Sequence, residues 1–93
     1  MPDRLTPQEA HRLLRRIVED GALTLTGHAR REMAKDNLTT PDLENIIRAG
    51  VVDEAEWENG QWRHRVRTQR MALVVAFRDA DTAVVVTAWR LKR

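Results

Sequence analysis

Hydrophobic residues recur at helical spacing in the first half of the chain and in strand-like runs in the second half. A capping box that begins at Thr6, with proline at the first helical position, predicts a first helix that starts at Pro7 and stops at Gly21. The buried stripe predicted for this helix is Leu13, Leu14, Ile17 and Val18. Residues 22–26 alternate between apolar and polar side chains, which predicts a short strand.

Two shorter helices are predicted after this strand. The second runs from about His28 to Asp36, and the third begins at Thr40 and is closed by Gly50. Their predicted buried positions are Ala29, Met33, Leu43, Ile46 and Ile47. The spacing of these positions puts one side of each helix against the rest of the protein.

Residues 51–69 predict a β-hairpin, around which the second half of the chain is organised. Asn59-Gly60 is a strong signal for a two-residue turn, because both central residues of a type I′ turn need a positive φ. This turn fixes a register in which Trp57 faces Trp62. The other predicted pairs are Glu58–Gln61, Glu56–Arg63, Ala55–His64, Glu54–Arg65 and Asp53–Val66. One face then carries Trp57, Trp62, Ala55, His64 and Val66, and the other carries Glu54, Glu56, Arg63, Arg65 and Arg67.

Two apolar runs complete the chain. Residues 71–77 are apolar throughout and predict a central strand covered on both faces, and residues 82–89 predict its antiparallel neighbour. The predicted order of elements is α-β-α-α-β-β-β-β. It indicates a single α+β domain over residues 1–93, with the N-terminal helices packed on one face of a four- to five-stranded, mainly antiparallel sheet.

The composition excludes several kinds of chemistry. The chain has no cysteine, which excludes disulfides and a thiol nucleophile, and no serine for a Ser-His-Asp system. Its three histidines lack metal-binding spacing, and it has no glycine-rich phosphate loop, so we expect neither a metal nor a cofactor. No apolar run approaches the ~20 residues that cross a bilayer, and the first residues do not form a signal peptide. We therefore expect a cytoplasmic protein without a membrane partner.

Charge is distributed unevenly along the chain. Residues 1–59 hold 8 Lys and Arg against 12 Asp and Glu, whereas residues 60–93 hold 8 against 2. A basic second half suits a polyanion or an acidic protein partner. An acidic helical layer packed on a basic sheet explains the same asymmetry equally well.

One polar stripe of the second helix, formed by His28, Arg31 and Lys35, has the residue types needed for phosphodiester chemistry. His28 falls in the first turn, where the helix dipole disfavours the imidazolium, and a neutral imidazole is what a general base needs. With two cations beside it, such a base can take the proton of a ribose 2′-hydroxyl while the cations stabilise the phosphorane. A capping histidine next to solvated charges is the simpler interpretation of the same spacing.

The run H-A-R-R-E-M-A-K-D-N-L-T-T-P-D-L from His28, the basic strand, and the terminal V-V-V-T-A-W-R resemble a family of small, mostly uncharacterised bacterial domains. That family is grouped with the MqsR- and RelE-type toxins, and the shared features extend from Thr26 to Arg90. The resemblance implies a RelE/MqsR-like fold and the toxin of a type II toxin–antitoxin system. It implies metal-independent cleavage of messenger RNA by the 2′-hydroxyl, leaving a cyclic phosphate and a 5′-hydroxyl. It also implies an antitoxin partner, which in MqsR-type systems carries a zinc-binding and a DNA-binding domain.

The resemblance also implies a set of site residues. The catalytic positions matched to the family are His28, Arg31, Arg65, Thr87 and Arg90. The basic residues near them, which are further candidates for RNA binding, are Lys35, Arg63, His64, Arg67 and Lys92. The chain departs from MqsR-type sites because it has no tyrosine and few lysines, so the acid and the base stay unassigned. The predicted register puts His64 and Arg65 on opposite faces, and both can enter one cleft only if the strand bulges.

Two binding functions without catalysis remain as alternatives. A winged helix-turn-helix matches the order of the first elements, with the arginine-rich strand as a wing that grips phosphates. Its recognition helix would expose Asp42 and Glu44, with Arg48 as its only cation, and the last two strands would be unexplained. The other alternative is a partner-binding protein whose basic sheet docks an acidic helix.

Overall fold

The computed structural model describes residues 4–91 and shows an α+β fold with three helices and a mixed six-stranded sheet. The helices are α1 (Pro7–Asp20), α2 (Gly27–Lys35) and α3 (Thr40–Ala49). The strands are β1 (Ala22–Leu25), β2 (Val51–Val52), β3 (Glu56–Glu58), β4 (Gln61–Arg67), β5 (Met71–Asp79) and β6 (Thr82–Arg90). The sheet order is β1-β6-β5-β4-β2, with β3 also paired to β4. All pairs are antiparallel except β1 with β6. The α+β class is confirmed, but the predicted number of strands was too small.

Each helix begins at a threonine whose side chain caps it. The hydroxyls of Thr6, Thr26 and Thr39 accept hydrogen bonds from backbone N–H groups of the first turn, which otherwise lack a partner. Gly50 ends α3, as predicted, at a place where the chain passes very close to β4. A Cβ at this position would lie 2.9 Å from the Arg67 carbonyl oxygen and closer still to that of Ile46, so the contact requires glycine.

The core lies between the three helices and one face of the sheet. Its helical part includes Leu14, Ile17, Leu43, Ile46 and Ile47, and its strand part includes Val66, Leu73, Val75, Val85 and Ala88. These side chains are at most 1 % exposed. The predicted stripes are thus confirmed, except that Leu13 and Val18 are only half-buried at the margin. None of the helices within residues 4–91 is long and apolar enough to cross a membrane.

The other face of the sheet carries no helix, yet β5 is covered on this face as well, as predicted, since Ala72 and Ala76 are only 1 % and 2 % exposed. Val74 lies in the register between Arg65 of β4 and Thr87 of β6, and Ala72 lies between Arg67 and Trp89. Small apolar residues on β5 can be shielded by these longer neighbours. A continuous apolar run therefore did not require a second layer of helices.

The hairpin has the predicted turn, but its register changes beyond the first three pairs. Asn59 and Gly60 have φ values of 49° and 79°, and Trp57 pairs with Trp62, with their rings edge to face at 5.2 Å. Farther from the turn, Val52 pairs with Val66, where the prediction had Asp53. Residues 53–55 contain one extra residue relative to β4. This bulge separates β2 from β3, which explains the additional strand.

The free energy of unfolding is expected to fall as the pH is lowered from about 5 towards 2. Hydrogen bonds from the backbone N–H groups of Thr6 and Thr39 lower the pKa values of Glu9 and Asp42 below those of the unfolded chain. A carboxylate with a lowered pKa stabilises the fold above its unfolded pKa and loses this effect on protonation. Thermal unfolding followed by circular dichroism across this range checks the prediction. The double variant Glu9→Gln/Asp42→Asn should show a weaker pH dependence, and an unchanged dependence would contradict it.

Candidate functional site

Two cross-strand rows of side chains occupy the face of the sheet that carries no helix, which we call the open face. The first row is Arg65, Val74 and Thr87, and the second is Arg67, Ala72 and Trp89. Directly paired residues of neighbouring strands share a face, so each row runs across β4, β5 and β6. The structure therefore brings Arg65, Arg67 and Thr87 together, as predicted, and adds Trp89, which was not predicted as a site residue.

Asp53 connects the two arginines of these rows. Its carboxylate accepts hydrogen bonds from Nε of Arg65 at 2.9 Å and from Nε and Nη2 of Arg67 at 3.1 and 3.2 Å. The hydrogen bonds from Arg67 are the main reason that the pKa of Asp53 is lowered. The predicted partner of Arg65 was Glu54, which instead lies 3.4 Å from Arg4. The bulge explains the exchange, because it moves Asp53 opposite Arg65, where its backbone N–H donates to the Arg65 carbonyl.

A groove of about 410 Å³ lies on the open face beside these arginines. Its lining consists of Asp53, Glu54, Glu56, Glu58, Arg63, Arg65, Val74 and Trp89. Arg63 is mostly covered, with 16 % of its side chain exposed, and lies 3.5 Å from Glu58. Arg65 is 56 % exposed. Four carboxylates and two guanidinium groups give the groove an acidic wall opposite its basic one.

His64 lies in the interior, where RNA has no access to it. Its side chain is 1 % exposed on the helical side of β4, opposite Arg65. Nδ1 lies 3.1 Å from the Asp53 carbonyl oxygen, and the ring contacts Phe77 edge to face at 6.2 Å. The predicted separation of His64 and Arg65 is confirmed, and the bulge does not bring them into one cleft. The structure thus places His64 where it packs the core and not where it could bind a substrate.

Arg90 binds the end of α2. Its Nε donates to the Asp36 carbonyl at 2.7 Å, Nη2 donates to the Asn37 carbonyl at 3.3 Å, and its backbone N–H donates to the Asp36 carboxylate at 2.8 Å. Asp36 is the C-cap of α2, and Asn37 follows it in the turn, so these contacts satisfy carbonyls at the end of the helix that lack a partner within it. Arg90 therefore holds the end of α2, whereas the prediction made it a phosphate ligand in the site.

Helix α2 lies along the edge of β6 that β1 leaves free. Strand β1 pairs with β6 only as far as Val85, and the Thr26 hydroxyl at the start of α2 donates to the Val86 carbonyl at 2.9 Å. The other end of α2 is held by Arg90. The nine residues of α2 form a helix about 13 Å long, and the strand from Val86 to Arg90 has about the same length. The helix therefore matches the stretch of the β6 edge that β1 leaves free.

The predicted polar stripe of α2 is exposed. His28, Arg31 and Lys35 all lie at the surface, and Lys35 pairs with Glu32 at 2.9 Å. Within residues 4–91, the structure records no hydrogen bond or ion pair between this stripe and the open face. The flank of α2 that carries Arg30 and Ala34 lines a groove with the start of α3. His28 and Glu32 lie on the opposite flank, which is turned away from α3.

Two further points complete the comparison with the predicted site. Lys92 lies outside the described residues. In the part of the chain from 4 to 91, no three histidine or acidic side chains form a group that could hold a metal ion. Asp53 was missed because its role depends on the bulge, and Trp89 was missed because nothing in the sequence indicated that the sheet face it shares with Arg67 carries no helix.

Comparison with protein-family models assigns residues 25–90, from the end of β1 to the end of β6, to one family. The chain belongs to the DUF4258 family. This family is described as a domain of unknown function. The DUF4258 match includes the whole open face, Asp53 and α2 with its His28 stripe, and it leaves out α1. No curated protein and no solved structure matched the chain significantly.

Proposed function

We propose that this DUF4258 protein is a RelE/MqsR-like toxin, a metal-independent endoribonuclease whose RNA substrate binds on the open face. The observation that carries the proposal is the set of RNA-compatible side chains on a sheet face free of helices. Guanidinium groups bind backbone phosphates, Trp89 provides a ring on which a base can stack, and Thr87 provides a hydroxyl donor. Sheet faces that carry aromatic rings are a common platform for single-stranded RNA, and Trp89 is half-buried on this face.

The nucleophile of the proposed reaction comes from the substrate itself, so the protein supplies only binding groups and proton transfer. The ribose 2′-hydroxyl gives its proton to a base and attacks the adjacent phosphorus, and the P–O5′ bond breaks as the leaving oxygen takes up a proton. The products are a 2′,3′-cyclic phosphate and a 5′-hydroxyl. Arg65 is the proposed ligand of the phosphate and of the charge that develops on the phosphorane. Thr87 lies in the same row as Arg65, two strands away, and we propose that its hydroxyl donates a hydrogen bond to the substrate.

His28 is the proposed acid or base of this reaction. It is exposed, it lies at the start of α2 close to the level of Val86 and Thr87, and its flank faces away from α3. We propose that an RNA strand bound on the open face continues past the edge of β6 to this flank. Arg31 and Lys35 continue the same stripe and are proposed to contact the RNA backbone beyond the reacting phosphate.

The acidic wall of the groove favours a second candidate, a partner-binding protein without catalysis. Glu54, Glu56 and Glu58 would repel RNA phosphates but could bind a basic segment of another protein. The ion pairs of the open face are exposed, and such pairs are worth about 0–1 kcal/mol, so they offset little of the attraction between the arginines and a phosphate. The winged-helix alternative is not supported, since β4 is paired along both edges within the sheet and does not form a separate wing.

We also propose where the protein acts and what inhibits it. Its messenger RNA substrate would be met in the cytoplasm. An antitoxin, which in MqsR-type systems binds zinc, would hold the toxin inactive.

Induced expression of the wild-type protein in a bacterial host is expected to arrest growth. The purified protein, in the presence of EDTA, is expected to cleave RNA to products that end in a cyclic phosphate. The same sequence made with 2′-O-methyl groups should resist cleavage, because its internal nucleophile is blocked. A mock purification controls for host ribonucleases. If the folded protein neither slows growth nor cleaves RNA, the toxin proposal is wrong and the partner-binding function is favoured.

A further inference from the structure

The contact between Asp53 and the two arginines leaves specific nitrogens available. Asp53 accepts from Nε of both Arg65 and Arg67, which are two residues apart on β4. Within residues 4–91, neither terminal nitrogen of Arg65 has a recorded partner, and Arg67 keeps Nη1 free as well. A carboxylate that binds the Nε side of a guanidinium fixes the group and leaves its terminal nitrogens for another anion.

The spacing of the two arginines fits the backbone of a single RNA strand. Side chains at i and i+2 on a strand share a face and start about 6.6–6.8 Å apart. Successive phosphates of a single-stranded nucleic acid have a similar separation. Trp89 lies in the same row as Arg67, two strands away, so a base that extends from the bound backbone across β5 can reach its ring.

We propose that Asp53 is a positioning residue, which holds Arg65 and Arg67 as a clamp for two consecutive phosphates of single-stranded RNA. This inference rests on the proposed function and adds the part of the substrate that the open face binds. Asp53 does not touch the RNA in this arrangement. Its side chain is 26 % exposed, whereas those of Arg65 and Arg67 are 56 % and 48 % exposed, so the arginines lie nearer to solvent than the group that orients them.

A carboxylate beside two arginines could instead act as a mask that competes with phosphate. The two roles predict opposite effects of Asp53→Asn. The substitution removes one negative charge, so RNA binding should strengthen if Asp53 is a mask. If Asp53 positions the arginines, binding should weaken despite the more favourable net charge, since the amide replaces a charge-assisted contact with a weaker one.

The test is the affinity of the full chain for a short single-stranded RNA, measured by fluorescence anisotropy at several salt concentrations. Asp53→Asn is expected to weaken binding about tenfold, as for the loss of one hydrogen bond to a charged group. The slope of log K against log salt should also become shallower by about 0.7 for each phosphate that the variant no longer binds. Asp53→Glu, which keeps the carboxylate, should retain more affinity than Asp53→Asn.

Glu54→Gln is the matched control, because Glu54 lines the same groove but contacts neither arginine of the clamp. It is expected to bind RNA as tightly as the wild type or slightly more tightly. Circular dichroism and thermal unfolding of each variant verify that the fold is retained. Equal or tighter binding by Asp53→Asn, with the wild-type salt slope, would overturn the clamp and leave the proposed function standing. A wild-type protein that does not bind RNA would overturn both.

Discussion

Arg65→Ala is expected to reduce RNA cleavage at least about 100-fold, because removal of a single group that stabilises developing charge commonly costs this much. The free energy of unfolding should change by less than about 1 kcal/mol, since the only recorded side-chain partner of Arg65 within residues 4–91 is the exposed ion pair with Asp53. Initial rates of RNA cleavage under EDTA and urea-induced unfolding measure the two effects. Growth arrest in the bacterial host should be lost in parallel.

Arg12→Ala is the matched control for this substitution. Arg12 is exposed on α1, outside the residues assigned to the family, and its removal changes the net charge by the same amount. Full activity of Arg12→Ala together with loss of activity in Arg65→Ala would assign the effect to the open face. Equal activity of both variants would show that the reacting phosphate does not bind at Arg65, even if the wild type cleaves RNA.

The elements of the fold that were predicted correctly depend on residues close to one another in the chain. The capping threonines, Thr6 and Thr39, bind N–H groups three residues away. The Asn59-Gly60 turn is determined by the positive φ of two adjacent residues. Because each of these interactions is local, its residues could be recognised without knowledge of the tertiary structure.

The parts of the candidate site that could not be predicted depend on pairing between distant segments. Turn chemistry fixed the hairpin register for three pairs, but it has no influence on where an extra residue is inserted beyond them. The insertion at 53–55 brings Asp53, and not Glu54, to Arg65. Arg90 and Asp36 are 54 residues apart, and no local signal in either segment indicates their contact.

The two faces of β5 illustrate a different difficulty. Leu73 and Val75 face the helices, whereas Ala72 and Val74 face the arginines and Trp89, yet all four residues are apolar. Hydrophobicity distinguishes buried from exposed positions but does not tell whether a helix or the long side chains of adjacent strands exclude the water. The sequence therefore did not indicate that one face of the sheet carries no helix, because the residues at the centre of that face are apolar.

The placement of α2 gives Arg90 an indirect influence on the proposed site. Thr26 attaches the start of α2 to β6, and Arg90 attaches its end, so the helix that carries His28 is held against the sheet at two points. If His28 acts on RNA at the open face, its position depends on both attachments. A substitution at Arg90 can then impair cleavage without removing a contact to the substrate.

Arg90→Ala is expected to lower the free energy of unfolding by about 1–2 kcal/mol, because two carbonyls at the end of α2 lose hydrogen bonds from a charged donor. Arg90→Lys keeps the positive charge, but a single ammonium group cannot replace the two guanidinium nitrogens that bind the two carbonyls. Its free energy of unfolding should therefore lie between those of Arg90→Ala and the wild type. Arg70→Ala, an exposed neighbour with no recorded side-chain partner within residues 4–91, should unfold like the wild type. Urea-induced unfolding measures all three variants, and amide hydrogen exchange should be faster in α2 of Arg90→Ala. Wild-type stability of Arg90→Ala combined with weaker RNA binding would instead make Arg90 a phosphate ligand, and the helix attachment would then be of no energetic consequence.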